Sequence, residues 1–138
     1  MSAGYSGTPL GKKLGIKPGQ SCLIVNHPNN YLELIADAPL SEVNIDFESK
    51  QNNEYDFIHF FTQKKSDLEK SWKTMRSLLT KTGALWVSWP KGSSKLEKDL
   101  NENDVRDIGL KGGLVDVKVC AVDDNWSGLK FMYRRKDR

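Results

Sequence analysis

Two short polar segments hold most of the side chains in this sequence that could do chemistry together. Asn26 and His27 follow the apolar run Cys22-Leu23-Ile24-Val25, while Lys91, Ser93 and Ser94 follow Leu85-Trp86-Val87-Ser88-Trp89. An imidazole moves a proton near neutral pH, an ammonium holds an anion, and an indole such as Trp89 offers a flat wall. If both segments face one crevice, His27 is its acid or base and Lys91 its anion holder, for an anionic or planar ligand. The competing reading makes Asn26-His27-Pro28 a tight turn and Lys91-Gly92-Ser93-Ser94-Lys95 a flexible solvated loop. The second segment lacks the GxxxxGK[ST] frame that aims backbone amides at phosphates, and no G-x-S-x-G elbow supports a covalent role for Ser93 or Ser94.

The remaining chemically capable residues read as structural. His59 lies between Ile58 and Phe60 and is expected to be a core or edge histidine with a satisfied hydrogen bond. Cys22 and Cys120 sit inside apolar runs and are expected buried and reduced. With two cysteines, two histidines and no CxxC or HxxxH spacing, no metal site is predicted. Asp116 and Lys118 are expected on one strand face, as a surface or cross-strand pair. Trp72 reads as core, and Trp126 either plugs the sheet end or offers a surface to a partner.

The elements that must position these residues are legible from periodicity. Glycines and prolines over residues 1–19 predict loops around a short helix near Pro9 to Leu14. Ser21 to Asn26 is a continuous apolar run and reads as a central parallel strand. A helical stripe of Tyr31, Leu32, Leu34 and Ile35 follows, then a half-covered strand from Ser41 to Phe47 and an aromatic-rich one from Tyr55 to Phe61. Ser66 and Glu69 have capping-box spacing at the head of a helix whose stripe is Leu68, Trp72, Met75 and Leu79, closed by Gly83. Ala84 to Trp89 is a strand stopped by Pro90, with Trp86 and Trp89 on opposite faces. Asn103 is placed to cap a helix through Val105, Ile108 and Leu110, ended by Gly112-Gly113. Alternation from Leu114 to Ala121, a polar turn at 123–125 and a strand around Leu129 to Arg134 predict an antiparallel hairpin. This order predicts a three-layer, Rossmann-like α/β fold: a mostly parallel sheet of about six strands ending in that hairpin.

Length and composition agree. A chain of 138 residues with 38% apolar content suits one domain, 1–138, with a glycine-rich start at 1–19 and a short basic tail at 134–138. No apolar run reaches the roughly 18 residues that span a bilayer, and the N-terminus has no apolar signal core. A cytoplasmic protein without membrane contact is therefore expected. The net charge of +3 is a mild excess that lies partly in Arg134-Arg135-Lys136, weak support for a nucleic-acid partner.

Three strings resemble an uncharacterised bacterial family, the domain of unknown function numbered 3052. They are Gly4-Tyr5-Ser6-Gly7-Thr8-Pro9-Leu10 with Lys12-Lys13-Leu14-Gly15, then Trp86-Val87-Ser88-Trp89-Pro90-Lys91, and Gly113 to Asp123 with Trp126-Ser127-Gly128-Leu129-Lys130-Phe131. The resemblance spans nearly the whole chain and implies no established activity. The element order also resembles a shortened class I methyltransferase sheet. That likeness implies a glycine-rich turn after the first strand for S-adenosylmethionine and an acidic residue after the second for its ribose. The chain has Val25-Asn26-His27-Pro28-Asn29-Asn30 at the first place, without glycine, and Asp46 or Glu48 at the second. No cofactor is therefore predicted.

In a methyltransferase-like order the ligand crevice is expected between the first strand and the one ending at Trp89, lined by Asn26, His27, Trp89, Lys91, Ser93 and Ser94. The reading favoured is a non-catalytic or degenerate module that binds a small ligand or a protein. Alternatives are an enzyme using His27, Lys91 and Ser93, S-adenosylmethionine-dependent transfer among its possible reactions, and a weak nucleic-acid binder using the tail.

Overall fold

The computed structural model describes residues 7–50 and 52–138. In chain order the elements are α1 (Leu10–Leu14), β1 (Ser21–Val25), α2 (Tyr31–Leu34), β2 (Asn44–Asp46), β3 (Tyr55–Phe61), α3 (Lys65–Leu78), β4 (Leu79–Pro90), α4 (Glu102–Lys111), β5 (Leu114–Ala121) and β6 (Trp126–Tyr133). Three-residue 3-10 turns add Leu40–Glu42 and Arg135–Asp137. The six strands form one sheet in the order β2-β1-β3-β4-β6-β5, parallel from β2 to β4 and antiparallel through the β5–β6 hairpin. The Gly4-Tyr5-Ser6 part of the N-terminal string lies outside the described residues.

Strand alternation divides the interior into two cores. Cys22, Ile24, Phe57, Phe61 and Trp86 face α1 and α2, while Leu23, Ile58, Phe60, Leu85, Val87 and Trp89 face α3 and α4. Trp86 and Trp89 thus lie on opposite faces, as their spacing predicts. The Trp86 indole N–H donates to the Leu14 carbonyl over 2.9 Å, which ties α1 to the sheet. Trp126 is buried edge-to-face on Phe61, 5.1 Å between centroids, and so plugs the sheet end.

Several boundaries differ from expectation, each for a physical reason. Ser66 is not the cap of α3; Lys64 occupies that position without a side-chain cap bond. The Lys65 amide is instead taken by Asp99 Oδ1 at 2.7 Å, from a loop distant in sequence. Gly83 does not end α3, because the chain passes at Leu79 directly into β4. The β3–β4 register jumps from Tyr55↔Leu79 to Phe57↔Ala84, and a Cβ at Gly83 would lie 2.8 Å from the Asp56 carbonyl oxygen, so this irregularity within β4 favours glycine. Asn101, not Asn103, caps α4: its side chain accepts from the Asp104 amide, and Asp104 accepts from the Asn101 amide, both at 3.0 Å. The strand expected over Ser41 to Phe47 shrinks to Asn44–Asp46 behind the 3-10 turn, and β6 starts at Trp126 instead of Leu129.

No helix among the described residues is long and apolar enough to cross a membrane. The link from β2 to β3 carries no helix, and this leaves the α3 side of β1 only partly covered.

Candidate functional site

The β1 turn is shaped by Asn26, whose φ of 58° is left-handed. Asparagine tolerates that conformation better than most residues. The chain then turns at His27-Pro28. His27 Nδ1 lies 2.8 Å from the Pro28 carbonyl oxygen, which can only accept, so Nδ1 carries the proton. The ring packs against Tyr31 and Phe47, with centroids at 5.8 and 5.2 Å. His27 therefore bridges the ends of β1 and β2.

The expected crevice between β1 and β4 is not there, because β3 lies between them. Asn26 and His27 are separated from Trp89, Lys91, Ser93 and Ser94 by two strand spacings, about 10 Å. Trp89 is 4% exposed and belongs to the α3–α4 core. The 91–95 segment is also no free loop. The Lys91 amide donates to the Asn125 carbonyl at 2.8 Å, Ser94 Oγ to Asn125 Oδ1 at 3.1 Å, and the Ser94 amide to the Lys91 carbonyl at 2.9 Å, while Ser93 is exposed. These contacts hold the segment against the β5–β6 turn. The six expected site residues thus divide into two groups, on either side of β3.

Strand order reverses instead between β1 and β3, where a cleft of about 460 Å³ opens on the α3 face. Its floor is Leu23, Val25 and Phe60; one wall is α3 with Lys70, Ser71, Thr74, Met75 and Leu78; its rim is Asn26, Phe47, Glu48 and Ser49. Phe47 is 45% exposed at this rim. The β2–β3 link has no helix here and supplies only the rim residues Phe47, Glu48 and Ser49, so the cleft stays open. An apolar floor with the Glu48 carboxylate, the Lys70 ammonium and hydroxyls at its edge suits a small molecule with an apolar body, a donor group and an acceptor group.

Of the two acids expected near the end of β2, only Glu48 is available to this cleft. Asp46 accepts from Tyr55 Oη at 2.6 Å and pairs with Lys50 Nζ at 3.1 Å. The Tyr55 bond, followed by that to Lys50, holds its carboxyl below the ordinary range. The wall residues are a signal present in the sequence: Ser71, Thr74, Met75 and Leu78 have the i, i+3, i+4, i+7 spacing of one helical stripe.

On the other face of the same strands lies a polar chain that sequence reading reduces to one histidine. His59 is fully buried, with Nδ1 2.8 Å from Tyr31 Oη and Nε2 2.8 Å from Ser88 Oγ. The phenol is the stronger donor, so we assign its proton toward Nδ1 and the ring proton to Nε2, donated to Ser88. Burial pushes the His59 pKa down to about 3 and that of Tyr31 well up, which keeps both neutral. Burial, aided by the Asp56 charge, raises the nearby Cys22 thiol to about 12. The Ser-His-Tyr order resembles a nucleophile relay, but Ser88, His59 and Tyr31 are all 0% exposed, so no substrate reaches them. This chain is a satisfied core network.

No model of a known protein family and no curated protein matches the chain. Solved structures do. A methyltransferase dependent on S-adenosylmethionine from Aquifex aeolicus aligns at TM-score 0.61 and 14% identity, over 89% of this chain and 87% of its own. A ribosomal protein L11 methylase from Lactobacillus delbrueckii subsp. bulgaricus aligns at TM-score 0.62 and 11% identity, over 91% and 75%. A pericyclic reaction enzyme aligns at TM-score 0.56 and 11% identity, over 92% of this chain and 47% of its own. The fold is therefore α/β, Rossmann-like and methyltransferase-like, with antiparallel strands at its end. At these identities the likeness defines the fold, and one such fold carries several chemistries.

S-adenosylmethionine does not fit the β1 turn as built here. That cofactor needs backbone without side chains at the strand end, and here Asn26 bears a side chain while the His27 ring lies against Phe47 across the gap.

Proposed function

We propose that the chain is a small-ligand-binding module on a methyltransferase-like fold that transfers no methyl group. The ligand lies in the cleft over β1 and β3, its apolar body on Leu23, Val25 and Phe60 and a donor group on Glu48. The observation that carries this reading is the pairing of an open cleft at the strand-order reversal with a glycine-free turn whose His27 ring meets Phe47. The reading includes membership of the uncharacterised bacterial family 3052, supported by the three strings quoted above, and action in the cytoplasm.

A second reading, S-adenosylmethionine-dependent transfer, is favoured by Glu48 at the end of β2 and by the fold. A thermal-shift screen separates the two, since a ligand that binds the native state raises its apparent stability. S-adenosylmethionine and S-adenosylhomocysteine are expected to leave Tm unchanged, while another amine- or hydroxyl-bearing metabolite raises it and loses that effect in Glu48→Gln. A shift with the adenosyl compounds, followed by methyl transfer to any acceptor, overturns the first reading.

A further inference from the structure

The cleft over β1 and β3 has a charged end and an apolar end. β1 runs through Leu23 and Val25 to Asn26, and β2 lies parallel to it with Asp46 opposite Leu23. Glu48, two residues beyond Asp46, therefore comes to the Asn26 end. α3 starts past Phe61, the last residue of β3, and ends where Leu79 pairs with Tyr55, the first. Since Val25 is level with Phe60, the helix descends the cleft from that same end. Lys70 is the first of its lining residues and Leu78 the last. At the helical rise of about 1.5 Å per residue, Met75 lies about 7 Å and Leu78 about 12 Å below Lys70. The charged end thus passes into an apolar one made by Leu23, Met75 and Leu78.

Glu48 and Lys70 are the charged residues among those that line the cleft. They stand on opposite sides of its floor, one beyond β2 and the other on α3. Both are exposed, and neither has a hydrogen bond or an ion pair; the ion pairs among the described residues belong to Lys50, Lys65 and Arg106. Asp46, the other acid at this side, is engaged by Tyr55 and Lys50. An open anion and an open cation at one end of an apolar slot complement a head group that carries both charges on a tail that carries none.

We propose that the cleft binds an α-amino acid with a large apolar side chain. Its ammonium meets Glu48, its carboxylate meets Lys70, and its side chain runs down over Leu23 and Phe60 toward Met75 and Leu78. The inference rests on the small-ligand reading of this cleft and narrows it to one class. A simple amine or a simple acid matches one of the two charges and leaves the other facing an apolar molecule. A polyanion is repelled by Glu48 and has no tail for the apolar end.

Titration calorimetry of the full chain with L-phenylalanine, phenethylamine and hydrocinnamate tests it. The three share a ring, and the second lacks the carboxylate and the third the amine. L-phenylalanine is expected to bind about fivefold more tightly than either analogue. Glu48→Gln and Lys70→Gln change exposed side chains and should leave the fold intact. Each is expected to weaken L-phenylalanine by about fivefold. The pattern across analogues is selective: Lys70→Gln leaves phenethylamine binding unchanged, and Glu48→Gln leaves hydrocinnamate unchanged. No heat with L-phenylalanine, L-leucine or L-tryptophan overturns the proposal. Phenethylamine that binds as tightly as L-phenylalanine, and loses its binding in Glu48→Gln and Thr74→Trp, overturns the amino-acid class while the small-ligand reading stands. L-phenylalanine binding that survives Thr74→Trp, Glu48→Gln and Lys70→Gln alike overturns both.

Discussion

The two faces of β1 and β3 carry similar apolar side chains and meet opposite fates. Toward α1 and α2, Cys22, Ile24, Phe57 and Phe61 are buried, and the one histidine among them is bonded at both nitrogens. Toward α3, Leu23 and Phe60 are buried by the helix, but Val25 is only partly covered and the cleft opens beside it. The difference lies in the connections and not in the strands. Two short helices and the 16–20 loop seal one face, whereas the β2–β3 link crosses without a helix and leaves the other open. A polar group that looks catalytic belongs to the sealed face; the place a ligand can reach is walled by residues that look ordinary.

The largest effect that sharpens this contrast should come from Trp86→Ala. It removes a fully buried indole and leaves the Leu14 carbonyl without its donor. Its cost should be about 3–5 kcal/mol, read as a drop in the denaturant midpoint at unchanged m value. A loss under about 1 kcal/mol would mean that α1 does not seal this face.

Acid comes next, through His59. Its folded pKa near 3 lies below the ordinary 6.5, so the unfolded chain binds the proton that the folded one refuses. Stability from this group is complete above pH 6.5, falls as pH drops from 6.5 toward about 3, and changes no further below that. The slope should reach about 1.4 kcal/mol per pH unit within the window. Carboxylates titrate lower, so the stretch between pH 6.5 and 5 is diagnostic. Ring-proton NMR should show His59 neutral throughout that stretch in the folded protein. Titration of the His59 ring itself near 6.5 would mean that water reaches the network and the face is not closed.

Much of this contrast was legible before the structure. Apolar runs, the Trp86 and Trp89 spacing and the hairpin alternation predict strands and faces, because strand side chains follow a period of two. What escaped depends on pairing between distant parts of the chain. The cap of α3 comes from Asp99, which no local pattern can assign, so the Ser66 and Glu69 spacing misled. The strand-order reversal lies one strand away from the expected crevice, since strand order decides which loops are neighbours and sequence periodicity carries no order. The break in the β5–β6 register between Asp116 and Lys118 is likewise invisible to alternation; it puts Lys118 on the face opposite Asp116, which accepts from Arg106 Nε at 3.0 Å, so the expected pair does not form. The neighbours of His59 mark it as core, but its partners Tyr31 and Ser88 lie in other elements.

The smallest effect on stability should come from the open face and is the most informative about it. Thr74 is exposed on α3 and walls the cleft. Thr74→Trp adds an indole over Val25 and Phe60 where space already exists, so it displaces no packed side chain. Stability should stay within about 0.5 kcal/mol of wild type, in contrast to the cost of removing Trp86 from the sealed face. Any ligand found by the thermal-shift screen should at the same time lose its effect, because the added ring fills the volume that the ligand uses. A large destabilisation would show that the cleft closes in solution and that both faces are sealed. Unchanged stability with unchanged ligand binding would place the ligand elsewhere and remove the support for a ligand site on the open face.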